Sequence, residues 1–157
     1  MTAPKALSAD EELLWRSLMQ LLIRIPRVTD DDFARDSNLA TSKYVVLMHL
    51  SEAPNHQLRM SDLAARTPLS ASRITRVVDE LTRAGLVVKA RCDSDGRGNV
   101  ATLTAAGLDV RRRAHEPHLR RVRTRFLDGL RTEDVHIAAT VVAQMLDNFE
   151  RSLDAGS

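Results

Sequence analysis

Residues 60–104 read MSDLAARTPLSASRITRVVDELTRAGLVVKARCDSDGRGNVATLT, and the order of signals within this stretch decides the fold. Ser61 is placed to cap a short helix over residues 62–66, with Asp62 in the first turn, where an acid is favoured. Thr67, Pro68 and Leu69 make a turn. Ser70 or Ala71 then opens a second helix, over residues 70–84. In it Ile74, Val77, Val78 and Leu81 recur at i, i+3, i+4 and i+7, a narrow apolar stripe that seeks a core. Ser72, Arg73, Thr75, Arg76 and Arg83 fall off that stripe and face outward. Gly85 stops the helix, because a left-handed terminal residue is least strained without a Cβ. Residues 86–91 read as a short strand and residues 100–103 as its return. The polar tip between them holds Gly96 and Gly98, which give a hairpin its backbone freedom. Thr104 is placed to cap the next helix.

On the N-terminal side, residues 9–27 put Leu14, Leu18, Leu21 and Ile25 at helical spacing. Pro26 and the acids Asp30, Asp31 and Asp32 mark a bend or a second part of the same element. Residues 41–51 are apolar nearly all round, which predicts a helix buried on several sides; Ala53, Pro54 and Asn55 end it. On the C-terminal side a long helix from Ala105 carries Leu119, Val122, Phe126 and Leu130, with Pro117 expected to bend it. Thr132, Glu133 and Asp134 open a last helix with Ala138, Val141, Met145 and Phe149 in register. The predicted layout is α-α-α-α-β-β-α-α: mainly α with a small β-hairpin, as a single domain over residues 1–157. The terminal apolar rows are long for 157 residues with only 3% aromatics. They bury themselves most simply against a second copy, so a homodimer is expected.

Composition narrows the function. No apolar run is long enough to cross a membrane, and the first residues lack a basic region followed by an apolar stretch, so no secretory leader is expected. Cys92 is the sole cysteine; it excludes an internal disulfide framework and suits a reducing cytoplasm. There is no Gly-rich phosphate loop, nucleophile triad or paired carboxylate motif, so no enzyme and no cofactor is expected. The net charge of +2 is unevenly spread: residues 57–97 carry +3, against −2 before them and +1 after. Twenty of the 23 basic residues are arginine. The positive excess sits where phosphates would be met.

An α-helix fits the major groove of B-DNA, ~12 Å wide, if one face holds it to its domain and the other is short or charged. The helix at 70–84 has both faces. Arg73 and Arg76, one turn apart, can reach guanine edges or phosphates. Ser72 and Thr75 are small enough for close approach, Ser70 stands at the leading end and Arg83 at the trailing end. Arg97 in the hairpin tip can enter an adjacent minor groove, with Asp95 holding it by a charge-assisted contact. Lys89 and Arg91 are then strand contacts to phosphate. A dimer carrying two such helices predicts a near-palindromic double-stranded operator. The competing reading is a solvated arginine face on a protein-interaction module that keeps the shape without binding DNA.

Three runs carry a resemblance. They are Leu81-Thr82-Arg83-Ala84-Gly85-Leu86-Val87, the tip Asp95-Gly96-Arg97-Gly98, and Leu103-Thr104-Ala105-Ala106-Gly107. Together they resemble the signature of the MarR family (multiple antibiotic resistance regulators), specific over residues 58–108. The resemblance implies a winged helix-turn-helix homodimer that represses transcription and leaves DNA on binding a small aromatic or acidic effector. It implies a DNA-binding lobe over residues 40–104 and N- and C-terminal dimerisation helices over 9–36 and 105–153. It makes 70–84 the recognition helix and Arg97, with Asp95, the wing contact. Gly96 stands where the family often has a basic or polar side chain, and Asn99 interrupts an otherwise apolar strand.

In the resembling family, effectors bind where the dimerisation helices meet the DNA-binding lobe. That implies Trp15, Arg16, Met19, Tyr44 and His118 here, as aromatic walls with one arginine for a carboxylate; the bland alternative makes Trp15 and Tyr44 core and Arg16 solvated. His115 and His118 have a spacing that zinc sites use, but Pro117 lies between them and only Glu116 is adjacent, so no metal site is expected. Cys92 beside Arg91 is a redox candidate without a resolving thiol in the chain. A redox- or metal-responsive regulator stays open as the alternative.

Overall fold

The computed structural model of the chain describes residues 5–37, 39–91 and 98–155. In chain order they form α1 (Ala9–Ser37), α2 (Thr41–Glu52), β1 (Gln57–Arg59), α3 (Met60–Ala65), α4 (Ala71–Arg83), β2 (Val87–Arg91), β3 (Asn99–Leu103), α5 (Ala105–Val122) and α6 (Thr132–Asp154). The layout is therefore α-α-β-α-α-β-β-α-α, mainly α with a small sheet as expected, but with one strand more than the predicted hairpin. Residues 1–117 and 118–157 pack as two compact units.

In the first unit the core is built on α2 and α4. Leu47, Leu50, Leu63, Ile74, Leu81, Val46, Val78 and Val87 are fully buried. No residue of α2 between Thr41 and Leu50 is exposed, as its all-round apolar sequence predicts. The four α4 residues of the predicted stripe, Ile74, Val77, Val78 and Leu81, are the four that are buried. Burying each contributes roughly 1.5–3 kcal/mol, more than the ~0.5 kcal/mol each β-branched residue costs a helix. Packing, not propensity, makes this segment helical.

The sheet is antiparallel with order β1-β3-β2. Lys89 of β2 and Leu58 of β1 both stand opposite Ala101 of the central strand. Asn99, the polar residue of β3, is exposed at its open end opposite Arg91 and interrupts no packing. β1 leads without a break into α3, so Arg59 takes the capping position and Met60 is already helical. The expected cap, Ser61, lies inside the first turn instead, with its hydroxyl 3.4 Å from Asp62 Oδ1. α1 runs through Pro26 as one helix. Proline removes the bond to the carbonyl four residues back, and that residue, Leu22, is 56% exposed, so water can satisfy it.

In the second unit, the row expected to continue to Leu130 is broken. Regular helix ends at Val122 with Pro117 inside it, and Arg123–Leu127 winds wider, with the Asp128 amide donating to the Arg123 carbonyl at 2.9 Å. α6 has no buried residue.

Candidate nucleic-acid interface

The recognition segment is held at both ends by its own backbone chemistry. Ser70 Oγ accepts from the Arg73 amide at 3.3 Å, which settles Ser70 as the N-cap and Ala71 as the first helical residue. At the other end Gly85 has φ +73°. The Leu86 amide donates to the Leu81 carbonyl at 2.9 Å and the Gly85 amide to the Thr82 carbonyl at 3.0 Å, the paired closure of a Schellman turn. Thr104 then ties this turn to α5. Its hydroxyl donates to the Gly85 carbonyl at 2.9 Å and accepts from the Gly107 amide at 3.0 Å. Gly107 permits the closeness, since a Cβ there would lie 2.1 Å from the Leu86 carbonyl oxygen. The Gly-Leu-Val and Leu-Thr-x-x-Gly runs are thus one joint.

Between these ends α4 presents Ser72, Arg73, Thr75, Arg76 and Arg83, all exposed. Thr75 donates its hydroxyl to the Ala71 carbonyl at 3.0 Å, so that the hydroxyl is spent within its own helix. Among the described residues no carboxylate pairs with the guanidinium of Arg73, Arg76 or Arg83. The helix carries two acids, Asp79 and Glu80, and both are drawn back to the scaffold. Lys89 of β2 donates to Asp79 at 2.8 Å and Lys43 of α2 meets Glu80 at 3.0 Å. The Lys43 hydrogen bond, its charge, and the nearby Arg83 and Arg76 hold the Glu80 carboxyl below its ordinary value. The outward face is left cationic, and its arginines are not consumed by their own neighbours.

Sequence reading did not foresee this use of the two lysines, because pairs 10 and 37 residues apart leave no periodic signal. Lys89 was expected to meet phosphate; here it neutralises Asp79 and braces strand against helix. Arg91 is exposed at the end of β2. Asp95 and Arg97, expected at the wing tip, and Cys92 lie outside the described residues.

Of the five residues expected around an effector, Trp15, Arg16, Met19 and Tyr44 stand in the first unit and His118 in the second. Trp15 is 51% exposed. Arg16 is exposed and paired with Glu12. Met19 is half-buried on α1, and His118 is half-buried in the second compact unit. Tyr44 is buried, its ring tilted against Phe33 at 4.5 Å and its hydroxyl 2.8 Å from His115 Nδ1. Burial pushes its phenol above the ordinary value, against the opposing charge of Arg111. That bond occupies one nitrogen of His115, and among the described residues no three His, Cys, Asp or Glu side chains gather as a metal set. A cavity of about 660 Å³ lies elsewhere in the first unit, between α1, the start of α2 and the α3–α4 turn. None of the five lines it.

The helix-turn-helix of α3 and α4, set between the strands of a three-stranded sheet, belongs to a fold shared with solved structures of similar sequence. The model of the MarR family matches residues 37–98. The HTH-type transcriptional repressor YetL of Bacillus subtilis is 31% identical over 94 residues, spanning 60% of this chain and 56% of YetL. The chain thus matches little more than half the length of the curated relatives it resembles. The crystal structure of Sco3205 from Streptomyces coelicolor, a MarR family transcriptional regulator solved in complex with DNA, superposes with a TM-score of 0.84 at 31% identity over 92% of this chain and 91% of that one. PcaV of the same organism, solved with its natural ligand, superposes at 0.68 with 26% identity over 93% and 98%. On fold, joint and sequence together, the chain belongs to the MarR family, whose members matched here are transcription regulators and not enzymes.

Proposed function

We propose that the protein is a homodimeric, sequence-specific DNA-binding repressor that sets α4 of each protomer in successive major grooves of a near-palindromic operator. The observation that carries this reading is the outward face of α4: three arginines that have no carboxylate partner among the described residues, on a helix whose own two acids are tied to lysines. Sco3205 was solved bound to DNA and YetL is a repressor, and both support the same reading. Release by a small aromatic or carboxylate effector is part of the proposal, supported by the ligand-bound PcaV. Arg97 and Asp95 would add a wing contact.

The test begins by enriching genomic fragments with the protein and measuring affinity by fluorescence anisotropy. Arg73→Ala with Arg76→Ala should reduce affinity for an enriched fragment by at least roughly thirtyfold, at about 1–3 kcal/mol per base-contacting arginine. Sedimentation should remain as in the wild type. Arg73→Ala alone should lower the salt slope if it meets phosphate, by about 0.9 for one contact. Operator binding that survives the double substitution removes α4 as the reading helix. Failure to enrich any fragment favours the protein-interaction module.

A further inference from the structure

The chain has three lysines among its 23 basic residues, and two of them, Lys43 and Lys89, hold the two acids of α4. We propose that Lys43 and Lys89 are positioning residues for operator binding: by holding Glu80 and Asp79 they stop those acids from capturing Arg76 and Arg83, and so keep two guanidiniums available to DNA. The proposal rests on the reading of α4 given above for its consequence at DNA, though not for the competition itself. It adds to that reading one residue on α2 and one on β2.

Spacing along α4 creates the competition. Residues three and four apart on a helix are neighbours, and an acid and a base at that spacing pair. Asp79 and Arg83 stand at i, i+4 with the acid on the N-terminal side, the better of the two orientations. Glu80 stands four residues after Arg76 and three before Arg83. Left to itself, α4 would close these pairs along its own surface. Among the described residues it closes none of them, because both acids are already taken. Lys89 Nζ lies 2.8 Å from Asp79 Oδ1 and Lys43 Nζ 3.0 Å from Glu80 Oε2. Both lysine side chains are partly buried against the scaffold, so salt screens these pairs less than it would a pair on an open helix face. Glu80 still senses the arginines: the charges of Arg83 and Arg76 add to the hydrogen bond and charge of Lys43 in lowering its carboxyl. Arg73 is the internal contrast. The positions three and four away from it hold Leu69, Ser70, Arg76 and Val77, so no acid of α4 stands at pairing distance.

The test uses Lys43→Ala with Lys89→Ala in the full chain, carrying isotopically labelled arginine. Without DNA, solvent exchange of the Arg76 and Arg83 Nε protons, followed by NMR, should slow relative to wild type while that of Arg73 stays the same. A helical pair favours capture about twofold, and a dimer exposes four such arginines, so affinity for an enriched fragment should fall by roughly tenfold. The salt slope should flatten as well, since captured arginines no longer release counterions. Adding Asp79→Asn and Glu80→Gln removes the competing charge without replacing the braces, and should restore exchange, affinity and slope. A merely structural role for the lysines, or a phosphate contact by Lys89, is not rescued in this way. Where the double variant does not fold by circular dichroism, Lys43→Ala with and without Glu80→Gln reads the same competition through one acid. Unchanged exchange at Arg76 and Arg83 overturns the proposal whether or not any fragment is enriched, and leaves the α4 reading standing. Affinity that stays low after both acids are neutralised also overturns it. Slowed exchange with wild-type affinity does the reverse: the braces stand, and Arg76 and Arg83 are removed as operator contacts.

Discussion

Gly107 shows how a single hydrogen in place of a methyl positions a binding surface. Its missing Cβ lets the start of α5 approach the Gly85–Leu86 turn, where Thr104 joins both. Gly107→Ala forces a carbon to within 2.1 Å of a backbone oxygen, and backbone cannot swing aside as a side-chain tip can. The expected loss is about 1–3 kcal/mol in urea unfolding. Gly129→Ala is the matched control: nothing lies within 4 Å of its added carbon, so its change should stay within about 0.5 kcal/mol. Equal effects at the two positions would mean that the joint is not the constraint. This joint was legible in sequence: Gly85 was read as the helix stop and Thr104 as a cap. The second bond of Thr104, back to Gly85 across 19 residues, was not, because no local pattern encodes it.

At the scale of elements, the recognition helix depends on lysines from its neighbours. Glu80 is the informative group, since Lys43 depresses its carboxyl pKa, first by hydrogen bonding and then by charge. A depressed folded-state value means that the pair stabilises above the unfolded value, near 4.5, and ceases to do so as pH falls through the folded one. Lys43→Ala should therefore lower the urea midpoint at pH 7, and the difference from wild type should shrink progressively below pH 4.5. A difference independent of pH would assign Lys43 a packing role instead. α4 is legible from its narrow buried stripe and α2 from its all-round apolar sequence, while α1 and α6 are legible from helical spacing although their rows are exposed. β1 escaped because Gln57, Leu58 and Arg59 show only one buried position between two exposed ones, and its partner is more than 40 residues away. The start of α3 moved with it: a strand that runs straight into a helix leaves no room for the cap that Ser61 suggested. The π-wound turn after Val122 likewise follows from nothing in the spacing of Leu119, Val122 and Phe126.

At the scale of the molecule, each compact unit leaves apolar rows in solvent. On α1, Leu14, Leu21 and Ile25 of the predicted stripe are 47%, 44% and 37% exposed. On α6, Leu146 and Phe149 are 56% and 60% exposed and no residue is buried. A surface helix with one apolar face keeps it dry by packing, and α6 has no fully buried residue. A second copy of the chain is the partner proposed above, and burying two such side chains from each protomer contributes several kcal/mol, at roughly 1.5–3 kcal/mol apiece. Leu146→Glu with Phe149→Glu should therefore convert a sedimenting dimer to a monomer at micromolar concentration, because each buried carboxylate adds a desolvation cost to the lost apolar area. The DNA consequence separates assembly from reading. With α4 untouched, the monomer keeps its arginine face but engages one half-site, so operator affinity should fall by two orders of magnitude or more while the protein remains folded by circular dichroism. A variant that stays dimeric would move the interface away from α6. A monomer that binds the operator as tightly as wild type would leave the two-groove geometry without support, since the second helix would then add nothing.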